Sequence, residues 1–351
     1  MRTRRLTPTR TMVALLTGVA LLAAACGNDD EEPAATDPPS TEPVGTTPDF
    51  EEVDEPPSTD ATDSTEAVVA DPMDGLPVDE EPPEAMDDVV PERIVSLSPT
   101  HTEMLFAIGA GDQLVAVDDF SDYPPEALEL PNELSGFEPN VEAIAAFEPD
   151  LVVTGGDFTG LGDQLAELEI AAWDGPAAET LDDTYRQIEE LGAITGHAGE
   201  AARLVGQMQL DVSEIVATTP RAEVPLTFYH ELDPTFFSAD STTFIGEIYA
   251  LLGLQNIADQ AEGESFGFPQ LNAEFIVSAD PDVIFLADTK CCAETAETVS
   301  QRPGWDAIVA VQNGAVIEMD DDIASRWGPR IVDYLADVAD ALTAVAGEPA
   351  G

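Results

Sequence analysis

The side chains in this sequence that could do chemistry do not form an obvious catalytic set. Two of the three histidines, His101 and His230, each follow a run of β-branched or aromatic residues that predicts a buried strand. A facing pair of histidines could ligate a metal ion or a haem iron. No third histidine and no tight His/Asp cluster accompanies them, so binding to a polar ligand, or solvation in a loop, is the other interpretation. We predict no metal site and no catalytic cofactor.

Two further candidates, Cys291 and Cys292, are adjacent in the chain. A catalytic dithiol is more typically spaced as Cys-x-x-Cys. In an oxidising exterior the pair could close a structural disulfide, and two free thiols or a ligand-contacting thiolate are the alternatives. The sequence offers no coherent catalytic triad or phosphate-binding loop. We therefore predict that the protein is not an enzyme, with an extracellular enzyme as the distant alternative.

One sequence pattern occurs twice and predicts the architecture. Residues 140–153 and 272–285 both read Asn-x-Glu-x-Ile-x-x-x-x-Pro-Asp followed by apolar residues. Residues 103–109 and 247–253 form a second matching pair, with Glu first and Gly last. Each half runs strand, helix, strand, Asn-capped helix, turn and strand. This order predicts an α/β fold of two similar lobes with mainly parallel sheets.

A long helix is predicted between the two halves. Residues 199–218 place apolar side chains at helical spacing and are followed by Pro220. Such a helix would be about 30 Å long, enough to run from one lobe to the other. We predict an N-terminal lobe at 91–197, a linker helix at 198–219, a C-terminal lobe at 220–345 and a ligand cleft between the lobes.

The first ninety residues predict export and tethering. Basic residues precede an apolar run that ends at Ala25 and Cys26, which is typical of a lipoprotein signal peptide at residues 1–25. An ordinary secretory signal that leaves a free thiol is the alternative. Residues 26–90 are rich in acidic residues, Pro and Thr, which predicts a disordered tether. The expected location is extracytoplasmic, with Cys26 lipid-anchored to the outer face of the cell membrane.

The charge of the chain excludes one class of partner. With 71 acidic and 12 basic residues, the formal net charge is −59. Nucleic-acid phosphates require a basic surface, so we predict no nucleic-acid partner. A charge of this size promotes solubility and does not specify a fold.

Several segments together resemble the class III substrate-binding proteins of ABC importers, which deliver cobalamin, ferric siderophores, haem and some metals. The resemblance covers nearly all of the chain from Pro91 to Leu342. Its carriers are PERIVSLSPTHTEMLFAIG, SDYPP, NVEAIAAFEPDLVV, the long linker helix and DDIASRWGPRI. The segments SDYPP, ELDP and FPQLNAEFI are most similar to the cobalamin-binding branch. The resemblance implies a protein that delivers a corrinoid to an ABC importer permease.

The resemblance also implies a set of ligand-binding residues at the cleft. Tyr123 would stack on the ligand, and Asp322 would accept hydrogen bonds from its amides. A loop anchor for Tyr123, core packing for the other aromatic residues, and a solvated acidic run around Asp322 are the structural alternatives. The full set is Ser98, His101, Tyr123, Phe137, Trp173, His230, Phe268, Asp322, Arg326 and Trp327.

Charge helps to choose among the ligands of such proteins. Catecholate chelates or haem propionates would require a basic cleft, and only Lys290, Arg302 and Arg326 are plausible there. Corrinoids and hydroxamate chelates are near neutral and rich in amides, so they fit better. We predict a corrinoid, with a hydroxamate-type ferric siderophore or haem as the alternative.

Glu142 and Glu274, one in each copy of the repeat, match the glutamates that dock into permease arginines in that family. Asn140 and Asn272 predict helix N-caps, so each Glu also lies in a first helical turn. There the helix dipole favours a carboxylate by about 0.3 to 1 kcal/mol, and both roles can hold at once. Equal placement in both halves favours docking. We expect the protein to act as a monomer with this permease.

Overall fold

The computed structural model describes residues 90–261 and 265–347. The predicted signal peptide, Cys26 and the predicted tether up to residue 89 lie outside these residues. No helix within the described ranges is long and apolar enough to cross a lipid bilayer.

Two four-stranded sheets have the same topology, and their strands pair in parallel. The sheet of the N-terminal lobe has the order β2-β1-β3-β4, with β1 (Ile94–Leu97), β2 (Leu114–Val117), β3 (Leu151–Thr154) and β4 (Ala171–Asp174). The sheet of the C-terminal lobe has the order β6-β5-β7-β8, with β5 (Thr227–Glu231), β6 (Gln255–Asn256), β7 (Val283–Leu286) and β8 (Val316–Glu318). The repeat in the sequence is therefore a repeat of topology.

Helices connect these strands in both lobes. The N-terminal lobe contains α1 (Pro99–Ala107), α2 (Val141–Ala145), α3 (Leu161–Glu167) and α4 (Leu181–Ile194), and a 21-residue helix, α5 (Ala198–Thr218), follows them. The C-terminal lobe contains α6 (Phe244–Leu251), α7 (Ala273–Ala279), α8 (Thr289–Cys292), α9 (Ala296–Ser300), α10 (Val309–Gln312), α11 (Asp321–Ser325) and α12 (Ile331–Gly347). The predicted fold class, an α/β protein of two similar lobes joined by one long helix, is confirmed.

The central strands are continuous apolar runs because both faces of each sheet are covered. Side chains alternate along β1, so Ile94 faces one hydrophobic cluster and Val95 faces another. In β7, Phe285 and Ile284 are divided in the same way. Each sheet thus has one face that packs within its own lobe and one that packs on a cluster common to both lobes.

The linker helix α5 belongs to this common cluster. Its buried residues Ala201, Val205 and Met208 lie on one face and join apolar side chains of both lobes. The helix ends at Thr218, just before Pro220, which cannot continue a helix. Since the apolar core runs through both lobes, separating them would expose buried apolar surface, which costs about 25 cal/mol per Å².

A buried ion cluster also joins the lobes. Glu103 on α1 is only 2% exposed, and its carboxylate accepts hydrogen bonds from Arg326 and Arg330 of the C-terminal lobe. The contacts are 2.9 Å from Arg326 Nη1 to Oε1 and 2.8 Å from Arg330 Nε to Oε2. Both carboxylate oxygens are therefore paired across the lobe boundary.

The matching residue of the repeat, Glu247 on α6, also reaches the opposite lobe. Its Oε2 accepts a hydrogen bond of 2.7 Å from the backbone N–H of Leu181, the first residue of α4. That N–H is one of the donors that a helix start leaves without an intrahelical partner. Glu103 of the N-terminal lobe thus contacts the C-terminal lobe, and Glu247 of the C-terminal lobe contacts the N-terminal lobe.

We expect Glu103→Ala to lower the free energy of unfolding by about 3 kcal/mol, because the buried Arg326 and the partly buried Arg330 both lose their buried carboxylate partner. Urea denaturation followed by circular dichroism measures the change. Glu190→Ala removes an exposed ion pair to Arg186 on α4 and should change the free energy by less than about 1 kcal/mol. Equal effects of the two variants would contradict a special role for Glu103.

Candidate functional site

A cavity of about 610 Å³ opens between the lobes, beyond the carboxyl ends of β1, β2 and β3. Ligands of open α/β sheets bind at this end of the strands. The N-terminal lobe contributes residues of the loops that follow these three strands. The C-terminal lobe contributes Asp322 and Ser325 of α11, with Arg326 and Trp327 directly after it. A volume of this size suits a small molecule.

Aromatic side chains form one wall of this cavity. Phe120, Phe137 and Phe158 line it and are 52%, 77% and 93% exposed. The rings of Phe120 and Phe137 pack edge to face with their centroids 5.7 Å apart. Large apolar groups this exposed indicate a binding surface, because water contact with them is unfavourable. The cleft therefore offers stacking surface to a ligand with a broad apolar face.

Arg326 is fully engaged by the protein itself. Besides Glu103, it donates to Asp122 Oδ1 and Asp322 Oδ1, each at 2.9 Å, and to the carbonyl oxygen of Phe120 at 3.1 Å. Among the cavity-lining residues that the structure describes, it is the only Lys or Arg. Because its charge is neutralised by three carboxylates, the described residues of the cleft hold no spare cation for an anionic ligand.

The acidic residues that line the cavity are partnered to different degrees. Asp322 binds Arg326 and Lys290. Asp157 accepts hydrogen bonds from the backbone N–H groups of Leu161 and Gly162 at the start of α3, and the bond from Gly162 lowers the pKa of Asp157. The carboxylate of Asp118 accepts one hydrogen bond from the described residues, from the hydroxyl group of Ser121 to Oδ1.

His101 lies beneath the cavity floor and has no exposed surface. Gln187 Oε1 accepts a hydrogen bond of 2.9 Å from Trp327 Nε1, which can only donate. The same oxygen lies 2.9 Å from His101 Nε2. His101 Nε2 therefore carries a proton, and Nδ1 accepts from the Ser98 hydroxyl at 2.8 Å. Burial lowers the pKa of His101 to about 4, so the ring is neutral near pH 7. Its role is to position Ser98 and Trp327, both of which line the cavity.

His230 also lies in the core, which corrects the expectation that it reaches the ligand. It has no exposed surface, and its Nδ1 lies 2.9 Å from the hydroxyl of Tyr249. Burial lowers the pKa of this ring to about 3. The strand-end position suggested by the sequence is occupied by Glu231, and His230 points into the core packed around Tyr249 and Tyr334.

Three aromatic residues expected at the cleft do not line the cavity. Tyr123 lines a second, separate depression of about 860 Å³, where the Arg330 guanidinium lies 4.1 Å from the centre of its ring. Trp173 packs edge to face against His101, with ring centroids 5.1 Å apart. Phe268 is 39% exposed on the C-terminal lobe. The aromatic residue that follows β2 in the cavity is Phe120, three residues before Tyr123.

The cysteine pair is not among the residues that line the cavity. Cys291 and Cys292 form a disulfide on α8, and both residues are exposed. Asp321, the first residue of α11, accepts hydrogen bonds from the backbone N–H groups of Lys290 and Cys291 at 2.8 and 2.9 Å. The disulfide-bearing turn is thus fastened to the helix that carries Asp322 into the cavity.

Glu142 and Glu274 occupy equivalent surface positions on the two lobes. Each is exposed in the first turn of its helix, α2 or α7. Asn140 and Asn272 cap these helices, with Oδ1 accepting the N–H of Ala143 at 3.0 Å and that of Phe275 at 2.9 Å. Neither glutamate carboxylate is paired with a described cationic side chain, so both are accessible to a partner.

Sequence reasoning did not single out Phe120, Phe158, Asp118 or Gln187. A signal for Phe120 and Asp118 existed, since both lie within three residues after the predicted second strand. No comparable signal marked Gln187, which reaches His101 from a helix 86 residues away. Within residues 90–261 and 265–347, no group of three or more His, Cys, Asp or Glu side chains could hold a metal ion.

Comparison with known proteins gives a consistent family. The periplasmic binding protein family matches residues 94–323. The uncharacterized ABC transporter substrate-binding lipoprotein YvrC of Bacillus subtilis (strain 168) is 28% identical over 260 residues, or 72% of this chain and 80% of that protein. The vitamin B12-binding protein of Pectobacterium carotovorum subsp. carotovorum (strain PC1) is 30% identical over 263 residues, or 73% and 90%. The apo periplasmic haem-binding protein RhuT from Roseiflexus sp. RS-1 superposes with a TM-score of 0.65 at 26% identity, covering 73% of this chain and 99% of that one.

We expect neither His101 nor His230 to titrate between about pH 5 and pH 8, because burial disfavours the charged imidazolium. Nuclear magnetic resonance of the carbon-bound ring protons measures this directly, with the variants His101→Gln and His230→Gln assigning the signals. A midpoint near the ordinary histidine value of about 6.5 for either ring would show that it is accessible to water.

Proposed function

Because the chain belongs to the periplasmic binding protein family, we propose that it binds a corrinoid outside the cytoplasm and delivers it to an ABC importer. Proteins of this family bind a solute for transport and do not transform it. The observation that carries the corrinoid assignment is the neutralisation of Arg326. Among the described residues, Arg326 is the one cation that lines the cleft, and its pairing with three carboxylates suits a ligand that is near neutral overall.

The remaining surface of the cleft supports the same ligand. The aromatic wall of Phe120, Phe137 and Phe158 offers stacking surface to a large ring system. Asp322 and Asp118 offer carboxylate acceptors to amide N–H groups. The vitamin B12-binding protein of Pectobacterium carotovorum, at 30% identity, is a relative named for such a ligand.

The same role for haem or a hydroxamate-type ferric siderophore is the second candidate. The structural similarity to the haem-binding protein from Roseiflexus favours haem. The cleft argues against it on two grounds. Haem propionates would meet Asp118, Asp157 and Asp322, and no described lining residue offers them a free cation. His101 and His230 are buried in the core, away from a bound iron.

Ligand recognition in this proposal needs little movement of the lobes. The common hydrophobic cluster, α5 and the paired Glu103 hold the lobes at a fixed distance. A preformed cleft reduces the conformational cost of binding. The importer would then recognise the bound state mainly through the surface of the two lobes.

We propose that Glu142 and Glu274 form that recognition surface and dock into arginines of the permease. Their exposed, equivalent positions on the two lobes support a partner with two matching cationic sites. Cys26, outside the described residues, would carry the lipid anchor, and residues 26–90 would tether the lobes to the membrane. The Bacillus subtilis relative is also named a lipoprotein. The protein would act as a monomer without a nucleic-acid partner.

Calorimetric titration of the purified chain with cyanocobalamin should give one-to-one binding with a micromolar or tighter Kd. A ferric hydroxamate and haemin are titrated in parallel and should bind at least about tenfold more weakly, because the part of the cleft that the structure describes supplies no free cation. If an iron chelate binds and cobalamin does not, the proposed transport role stands and the proposed ligand changes from a corrinoid to that chelate.

Two variants locate this binding. Phe120→Ala removes an aromatic cavity wall and should weaken binding by about tenfold or more, which is typical for truncation of a central aromatic contact. Leu210→Ala truncates an apolar residue that is 66% exposed on α5, away from the cavity, and serves as the matched control. Equal affinities of the two variants would place the ligand outside this cleft.

Charge reversal by Glu142→Arg or Glu274→Arg should lower cobalamin uptake at least about tenfold, because each would repel a permease arginine. The Kd for cobalamin should not change. Uptake of radiolabelled cobalamin by cells that carry the importer measures the first effect, and calorimetry measures the second.

The matched control is Glu297→Arg, which reverses an exposed glutamate in the first turn of α9. It has the same helix-dipole setting as Glu142 but lies outside the repeated surface. A loss of uptake in this variant equal to that in the other two would show a general charge effect and no defined docking site.

A further inference from the structure

Asp118 is a buried carboxylate at the cleft whose hydrogen bonding within the protein is incomplete. It directly follows β2, lines the cavity and is only 1% exposed. The hydroxyl group of Ser121 donates to Oδ1. No described residue donates a hydrogen bond to the other oxygen, Oδ2.

The surroundings of Oδ2 leave room for a donor from outside the protein. Gly136, another lining residue, lies directly beside it. A Cβ atom at position 136 would lie 3.1 Å from Asp118 Oδ2 and 2.5 Å from the carbonyl oxygen of Leu97. Glycine therefore lets the backbone approach this carboxylate without a side chain that would cover it.

Asp118 differs in this respect from the other charged residues of the cavity. Arg326 has four acceptors, Asp322 binds two cations, and Asp157 caps α3. Oδ2 is not among the buried side-chain atoms of the described residues that lack a partner, so it faces the open cavity, where an N–H group of a ligand can reach it. Asp118 Oδ2 is therefore available to accept a hydrogen bond from the ligand.

We propose that Asp118 is a specificity-determining residue whose Oδ2 accepts a hydrogen bond from an N–H group of the bound ligand. This inference rests on the proposed function, since corrinoid side chains carry amide N–H groups. A ligand that presents a carboxylate at this position is repelled. Asp118 therefore favours macrocycles whose peripheral groups carry N–H donors over those whose peripheral groups are carboxylates. The phenylalanine wall makes no such distinction, because it packs against any broad apolar face.

The titration of Asp118 gives this contact a signature. Burial raises the pKa of Asp118 to about 6, against the lowering effect of the Ser121 hydroxyl; Asp119 raises the pKa and Arg326 lowers it. The ionised carboxylate accepts an N–H bond better than the protonated form does. Ligand binding therefore holds the carboxyl group ionised, so affinity is full above pH 6 and is lost as the pH falls through about 6.

The test is calorimetry of the wild-type chain, Asp118→Asn and Asp119→Asn with cyanocobalamin at about pH 8 and about pH 5. Wild type should bind up to about tenfold more weakly at the lower pH. Asp118→Asn should bind about fivefold more weakly than wild type at pH 8 and lose the pH dependence. Asp119 is exposed and does not line the cavity, so Asp119→Asn should bind like wild type at pH 8 and keep a pH dependence, moved to lower pH because Asp119 raises the pKa of Asp118. Identical behaviour of Asp118→Asn and wild type would overturn the inference.

A second measurement does not depend on the folding of any variant. Wild-type binding near pH 6, repeated in buffers of different ionisation enthalpy, should release a fraction of a proton per ligand bound. Absence of proton release would overturn the inference.

Parallel titrations separate this inference from the corrinoid assignment. If wild type binds the ferric hydroxamate or haemin and not cobalamin, the corrinoid fails, and the Asp118→Asn comparison with the bound chelate decides the role of Asp118. A chelate that binds wild type and Asp118→Asn equally at both pH values overturns that role. Binding of none of the three ligands overturns both proposals.

Discussion

The pairing of Glu103 with Arg326 and Arg330 is the interaction on which the cleft depends. A single buried carboxylate of the N-terminal lobe holds two guanidinium groups of the C-terminal lobe. Removing Glu103 would take away the carboxylate that Arg330 contacts and would leave Arg326 with only the more exposed Asp122 and Asp322, which costs more than the net gain from the pair. The ion cluster therefore fixes the position of Arg326 at the cavity and, through Asp322, the position of α11.

The same cluster determines which ligands the cleft can accept. Arg326 could have served as an anion-binding group, but Glu103, Asp122 and Asp322 surround it. Its positive charge is neutralised by these carboxylates, and the other side chains that line the cleft include aromatic and acidic residues. The same ion pairs that join the lobes therefore favour near-neutral ligands with hydrogen-bond donors over ligands with carboxylates.

The two copies of the repeat each place a glutamate in contact with the opposite lobe, but the groups that these glutamates contact differ. Glu103 and Glu247 occupy equivalent positions on α1 and α6, and each contacts the opposite lobe. Glu103 meets two arginines, whereas Glu247 meets the backbone N–H at the start of α4. The two lobes share one topology, while the side chains that face the cleft differ between them. The cavity consequently draws its aromatic wall from the N-terminal lobe and its arginine from the C-terminal lobe.

The sequence alone determined the two-lobe α/β fold, the linker helix and the first-turn positions of Glu142 and Glu274, because local periodicity and helix capping specify such features. The segment resemblance also located Ser98, Phe137, Asp322, Arg326 and Trp327, which the structure places at the cavity. Only the tertiary structure decided that His230 is core, that Phe120 takes the place expected for Tyr123, and that Arg326 is neutralised. These outcomes depend on contacts such as Arg326 with Glu103, 223 residues apart. Strand ends predict which loops meet, but the direction and partner of each side chain follow from packing between distant segments.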